Sequence, residues 1–146
     1  MPVKTRIVED RNTDALLAKM PIELREKHLV KAVRAQGRVV AKAAAKKAPK
    51  PGYPGDKPDK TPLNKTIRTV VRRYGNVVMS ITGPARPDGA HGHLVEFGHM
   101  KVLWGRRTGE VVEGKEFMRP AADETQPEQE RAGIDALKKA LPELAS

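Results

Sequence analysis

The chain contains no cysteine, which excludes a disulfide framework and any thiolate chemistry. Aromatic residues are scarce: two Phe, two Tyr and one Trp in 146 residues. No run approaches the ~20 apolar residues of a membrane span. The opening decapeptide, Met1-Pro-Val-Lys-Thr-Arg-Ile-Val-Glu-Asp10, holds no apolar stretch of signal-peptide length. The expectation is a soluble protein made in a cytoplasm and making no membrane contact. Catalytic motifs are missing too. There is no Gly-x-Ser-x-Gly, no phosphate-cradling Gly-Lys-Thr/Ser loop and no His-Glu-x-x-His helix. Glu110, Glu113 and Glu116 fall at every third residue of an expected arm, whereas paired hydrolytic carboxylates must flank a cleft. His91, His93 and His99 cluster around Glu96, a set that zinc accepts. Two of them flank a loop glycine, however, so surface or subunit-contact histidines are the expectation. No enzyme, cofactor or metal is predicted.

What the chain has is positive charge, +10 overall. Residues 22–60 hold eleven Lys/Arg against four Asp/Glu, while residues 121–146 hold three against six. A basic front and an acidic tail invite head-to-tail association of copies, and nucleic acid is the other partner for a basic surface. The length fits a single domain, 1–146. With 32% charged and 3% aromatic residues, its core is expected to be thin and to rely on neighbours.

Residues 1–20 read as an N-terminal arm or a brief helix. Pro21 suits a helix start. Ile22, Leu29, Val33, Val40 and Ala44 then recur at helical spacing to about Ala48, where Pro49 ends the run. Another side carries Lys27, Lys31, Arg34, Arg38, Lys42 and Lys46, either a solvated face or a contact surface for DNA phosphates or an acidic partner. Gly37 marks a weak point or a close approach. Five prolines and two glycines in residues 49–62 predict a projecting loop of polyproline character. Residues 63–73 and 76–83 read as a hairpin turning at Gly75-Asn76, with Ile67, Val71, Val78 and Ile81 facing inward and Arg68, Arg72 and Arg73 in water. His93 to Phe97 is a helical turn or a strand, and five residues do not arbitrate. Residues 100–116 predict a second hairpin, a β-arm tipped by Arg106 and Arg107. A last helix runs from about Ala121 to Leu141, interrupted or restarted at Pro127. The fold class is α+β: a long N-terminal helix and a C-terminal helix packed on a small antiparallel sheet.

Two compact knots organise the whole, Leu94-Val95-Glu96-Phe97 and Phe117-Met118-Arg119, because both Phe residues and Trp104 lie in this stretch and aromatics bury most area. A charge embedded in such a knot needs a partner. Glu96, Phe97, Phe117 and Arg119 are therefore expected to form a structural knot in which Glu96 meets Arg119, or in which a neighbouring subunit meets each.

His93-Leu-Val-Glu-Phe-Gly98, an arm, and Phe117-Met-Arg-Pro-Ala-Ala-Asp123 resemble the signature of the gene-product-ten-like tail-component family of long-tailed bacteriophages. The order of parts is similar as well: a charged helix, a loop, a strand lead-in at Thr61-Pro-Leu-Asn-Lys-Thr-Ile67, the knot and a final helix. Pro62 stands where the family usually has Gly, and Glu116 where it usually has Pro. The resemblance implies a structural virion protein of the neck, a head–tail connector or tail-completion component. It implies a ring of six or twelve copies between portal-side and tail-side virion proteins, with DNA passing through, assembled in the host cytoplasm. Lys27 to Lys46, Arg106 and Arg107 are then the candidate DNA- or partner-contact residues. The alternative is a free-standing non-specific DNA-binding protein, since no stacking platform, zinc finger or helix-turn-helix supplies base readout.

Overall fold

The computed structural model describes residues 21–51, 60–75 and 77–145. The expected N-terminal arm and most of the Pro-rich loop lie outside the described residues. The fold is α+β, as the residue pattern predicts. Helix α1, Ile22–Lys47, follows Pro21 and is closed by Ala48, whose N–H reaches the Ala44 carbonyl ahead of Pro49. A single helical turn, α2, Leu63–Thr66, feeds strand β1, Ile67–Tyr74. This strand pairs antiparallel with β2, Val77–Pro84, from Ile67↔Pro84 to Tyr74↔Val77. Gly75, at φ 57°, opens the two-residue turn, a conformation that glycine adopts at little cost.

Short helix α3, Gly92–Phe97, then leads into β3, Gly98–Leu103, and β4, Arg106–Glu113. These pair with each other in a separate two-stranded sheet. Helices α4, Met118–Glu124, and α5, Gln126–Ala145, complete the chain. The helical break falls at Thr125, so the last helix begins one residue ahead of Pro127, where a missing N–H costs nothing.

Helix α1 is the hub. It packs against α4 and α5 on one side and against β1 and β2 on another, and its basic side stays open. Small residues set both contacts. Gly37 lies directly against the Thr69 methyl and the Ser80 side chain, and a Cβ on Gly133 of α5 would stand 2.5 Å from the Gln36 amide. Of the two readings of Gly37, close packing is the correct one. The Thr82 hydroxyl donates to the Gly37 carbonyl at 3.3 Å and lies 3.0 Å from the Thr69 hydroxyl.

The core sits at the C-terminal end of α1, where Ala44, Ala48, Leu63, Phe117 and Ala121 meet, flanked by Ile67, Val95 and Met118. Three of those five buried residues are alanines, so Leu63 and Phe117 supply most of its apolar bulk. Two expectations are corrected here. Ile81 does not face inward: the close approach at Gly37 admits only a slim inner face, which includes Thr69, Val71, Val78, Ser80 and Thr82, and this register turns Ile81 outward. Ile22, expected on the buried stripe, is also exposed, as is Leu24 beside it in the first turn of α1.

Candidate functional site

The knot closes through the backbone rather than through two side chains. Helix α4 starts with N–H groups that have no intrahelical acceptor. Glu96, only 6% exposed, turns its carboxylate onto them. One oxygen accepts from Phe117 N at 2.8 Å and from Met118 N at 3.0 Å, and the other accepts from Arg119 N at 3.1 Å. Charge-assisted bonds at a helix N-terminus, where the dipole favours an anion, satisfy the buried charge. Glu96 and Arg119 therefore do meet, but not as an ion pair: the Arg119 guanidinium points to water and lies 3.9 Å from Asp123. Phe117 belongs to the core. Phe97 does not, for it is 79% exposed; α3 needs only one inward face, and Val95 and Glu96 occupy it.

The β3–β4 hairpin leaves this node as an arm. At its root Gly98, at φ 78°, would place a Cβ 2.5 Å from the Val112 carbonyl, and one on Gly114 would stand 2.5 Å from the Glu96 carbonyl. The two backbone segments can approach this closely because neither residue has a side chain. Lys115 N then returns to the Val95 carbonyl at 2.7 Å, fixing the arm's far strand back to α3. Every arm residue from His99 to Glu113 is exposed, Met100, Val102, Leu103 and Val111 included. The tip is a two-residue turn of Trp104 and Gly105, both at positive φ (52° and 77°). Arg106 and Arg107 are consequently not the tip but the first residues of the returning strand, paired with Leu103 and Val102. Lys101 and Glu110 make a 2.9 Å ion pair across the arm, beside an irregularity in register between Met100 and Val102 that Gly109, at φ 81°, accommodates.

The six cations of α1, Lys27, Lys31, Arg34, Arg38, Lys42 and Lys46, are all exposed. None takes part in the ion pairs found among the described residues; Lys47 pairs with Glu124 and Arg73 with Glu26 instead. Among the described residues the stripe is thus an exposed positive face without ion-paired acids. The histidines are not gathered into a ligand set: His93 Nδ1 lies 3.0 Å from the Ala90 carbonyl, His99 stands exposed on the arm, and no group of three or more His, Asp or Glu is close enough to hold a metal among the described residues. No described helix is long and apolar enough to cross a membrane.

One surface was not foreseen from the residue pattern. The outer face of β1–β2 carries Val70, Tyr74, Val77, Met79 and Ile81, all exposed, together with Arg68 and Arg72. Apolar side chains thus point to solvent as well as to the helix side, where Ile67, Val71 and Val78 alternate with Thr69, Ser80 and Thr82, unlike the usual apolar-in, polar-out alternation of a half-buried sheet. Adjacent valines at positions 70–71 and 77–78 are the one sequence signal of two apolar faces. Compared with protein-family models, with curated proteins and with solved structures, the chain finds no match in any of the three.

Proposed function

We propose that this protein is a structural component of the virion of a tailed bacteriophage, assembling as a homo-oligomeric ring in the neck that joins the portal side to the tail and lets DNA pass. The observation that carries the assembly half of this reading is the arm. A two-stranded hairpin alone is marginal in water, and this one exposes Met100, Val102, Leu103, Trp104 and Val111 with no described element covering them. A second apolar surface lies open on β1–β2. Exposed apolar patches of this kind mark places where proteins meet. The phage setting comes from the resemblance of His93–Gly98 and Phe117–Asp123 to the tail-component family, and the copy number of six or twelve comes from the same source. The role is structural rather than enzymatic. Portal-side and tail-side virion proteins would be the neighbours above and below.

The experiment is the native mass of the purified protein at low and moderate salt, with negative-stain images of any large species. Discrete rings of six or more copies support the reading. A monomer that binds duplex DNA tightly favours the second reading, a non-specific DNA-binding protein, for which the exposed Lys27-to-Lys46 face is the supporting observation.

A further inference from the structure

We infer that the two exposed apolar surfaces are partners: the arm of one copy seats on the outer face of the β1–β2 hairpin of a second copy. The inference rests on the assembly reading above and names the contact that would build it.

Register defines both faces. Met100 pairs with Val111 and Gly98 with Glu113, and Val102 pairs with Arg107, so side chains alternate to put Met100, Val102, Val111, Arg107 and Glu113 on one side of the arm. On the β1–β2 hairpin, Val70 pairs with Ile81, Arg72 with Met79 and Tyr74 with Val77, with Arg68 beside Gly83 at the open end. A chain's own arm does not cover its own hairpin, since both surfaces are exposed within a single chain. The fit is of like to like in size, with hairpin strands of six to eight residues on each side. Charge is complementary at the root of the arm, where Glu113 lies, while Arg107, farther out on the same face beside Val102, takes no part in that match. Arg68 and Arg72 enter no ion pair among the described residues, and the outer face holds no acid. Glu113, at the root of the arm, is likewise free of any described ion pair. Met100, Val102 and Val111 then lie on Val70, Met79 and Ile81, with Glu113 beside Arg68. Trp104 reaches the Tyr74–Val77 end, where aromatic contact adds to area burial. Because the two surfaces differ, the contact is head-to-tail, and repeated copies either close into a ring or run on as a filament.

The absence of native cysteine makes the test clean. Val111→Cys and Ile81→Cys are introduced singly and together, both at exposed positions, and joined with a flexible bis-maleimide that tolerates small errors of register. The double variant is expected to give a ladder of covalent multimers. A mixture of the two single variants stops at the dimer, and each single variant alone stays monomeric. Arg68→Glu lowers the ladder yield about tenfold, and adding Glu113→Arg restores it. Dimers from Val111→Cys alone would mean arm-to-arm pairing and overturn the contact. So would the absence of any 81–111 product at the highest soluble concentration, which would assign the hairpin face to another protein. Rings seen in micrographs without an 81–111 cross-link reject this contact and leave the neck reading standing. A ladder growing into open filaments keeps the contact and rejects the closed ring.

Discussion

The Glu96 carboxylate accepts the backbone N–H of Arg119 at 3.1 Å, while the guanidinium of the same arginine turns away toward Asp123. The acid and the base of the knot are joined, yet the charge on Arg119 is irrelevant to the joint. Glu96→Ala leaves three N–H groups at the start of α4 without their acceptor, two of them on residues packed in or against the core. The expected loss is about 3 kcal/mol, or roughly 10 °C in melting temperature. Arg119→Ala should shift the midpoint by no more than ~2 °C, because exposed ion pairs contribute little. A thermal melt in which the two variants fall equally would refute the backbone-cap account.

Replacing Gly37 separates helix propensity from packing. Alanine in a helix interior gains up to about 1 kcal/mol over glycine, but here its methyl group meets the Thr69 methyl and the Ser80 side chain. Overpacking costs about 1–3 kcal/mol, so Gly37→Ala is expected to lower stability in urea titrations. Adding Thr69→Ser removes the clashing methyl and keeps the hydroxyl beside Thr82; the double variant should recover most of the loss. A stabilised Gly37→Ala single variant would show that helix and hairpin do not approach this closely.

At the arm root the obstacle is backbone, which cannot rotate out of the way. Gly98→Ala is opposed by its positive φ and by the Val112 carbonyl, and Gly114→Ala by the Glu96 carbonyl. Each should cost about 1–3 kcal/mol and open the arm to limited proteolysis between residues 98 and 114. Arm cleavage as slow as in the parent protein would count against this close backbone approach.

The basic face answers to salt. If Lys31, Arg34 and Arg38 touch phosphates, duplex affinity falls with rising salt by about 0.9 of a decade per decade for each phosphate neutralised. Changing all three to Gln should then flatten that slope by roughly 2–3 while weakening binding equally on unrelated sequences. An unchanged slope would assign this face to an acidic protein surface.

The parts that the sequence announces are those fixed by local chemistry. Pro21 and Pro49 bracket α1, Gly75 opens the first hairpin, and the second hairpin follows from apolar runs separated by glycine. What stays hidden depends on backbone partners and on distance. A glutamate inside an apolar knot declares that something must satisfy it, but the N–H groups of α4 leave no trace in a side-chain pattern. The facing of β1–β2 is not legible at Ile81, because valines on both faces give no alternation to read and the close approach of Gly37 decides the matter. The arm's tip is ambiguous in the sequence because Gly105 and Gly109 both signal a turn, and a tryptophan at positive φ is a rare choice for the first turn position.

That tryptophan gives the molecule its own optical gauge. Trp104 is the sole indole in the chain and is 99% exposed at the arm's end, so its emission in the isolated chain is that of a water-relaxed, readily quenched fluorophore. Any event that covers the arm moves the spectrum toward the blue and shields it from iodide, with no label attached. Because the core contains no tryptophan, unfolding leaves that signal almost unchanged, and the colour of the emission reports company rather than folding.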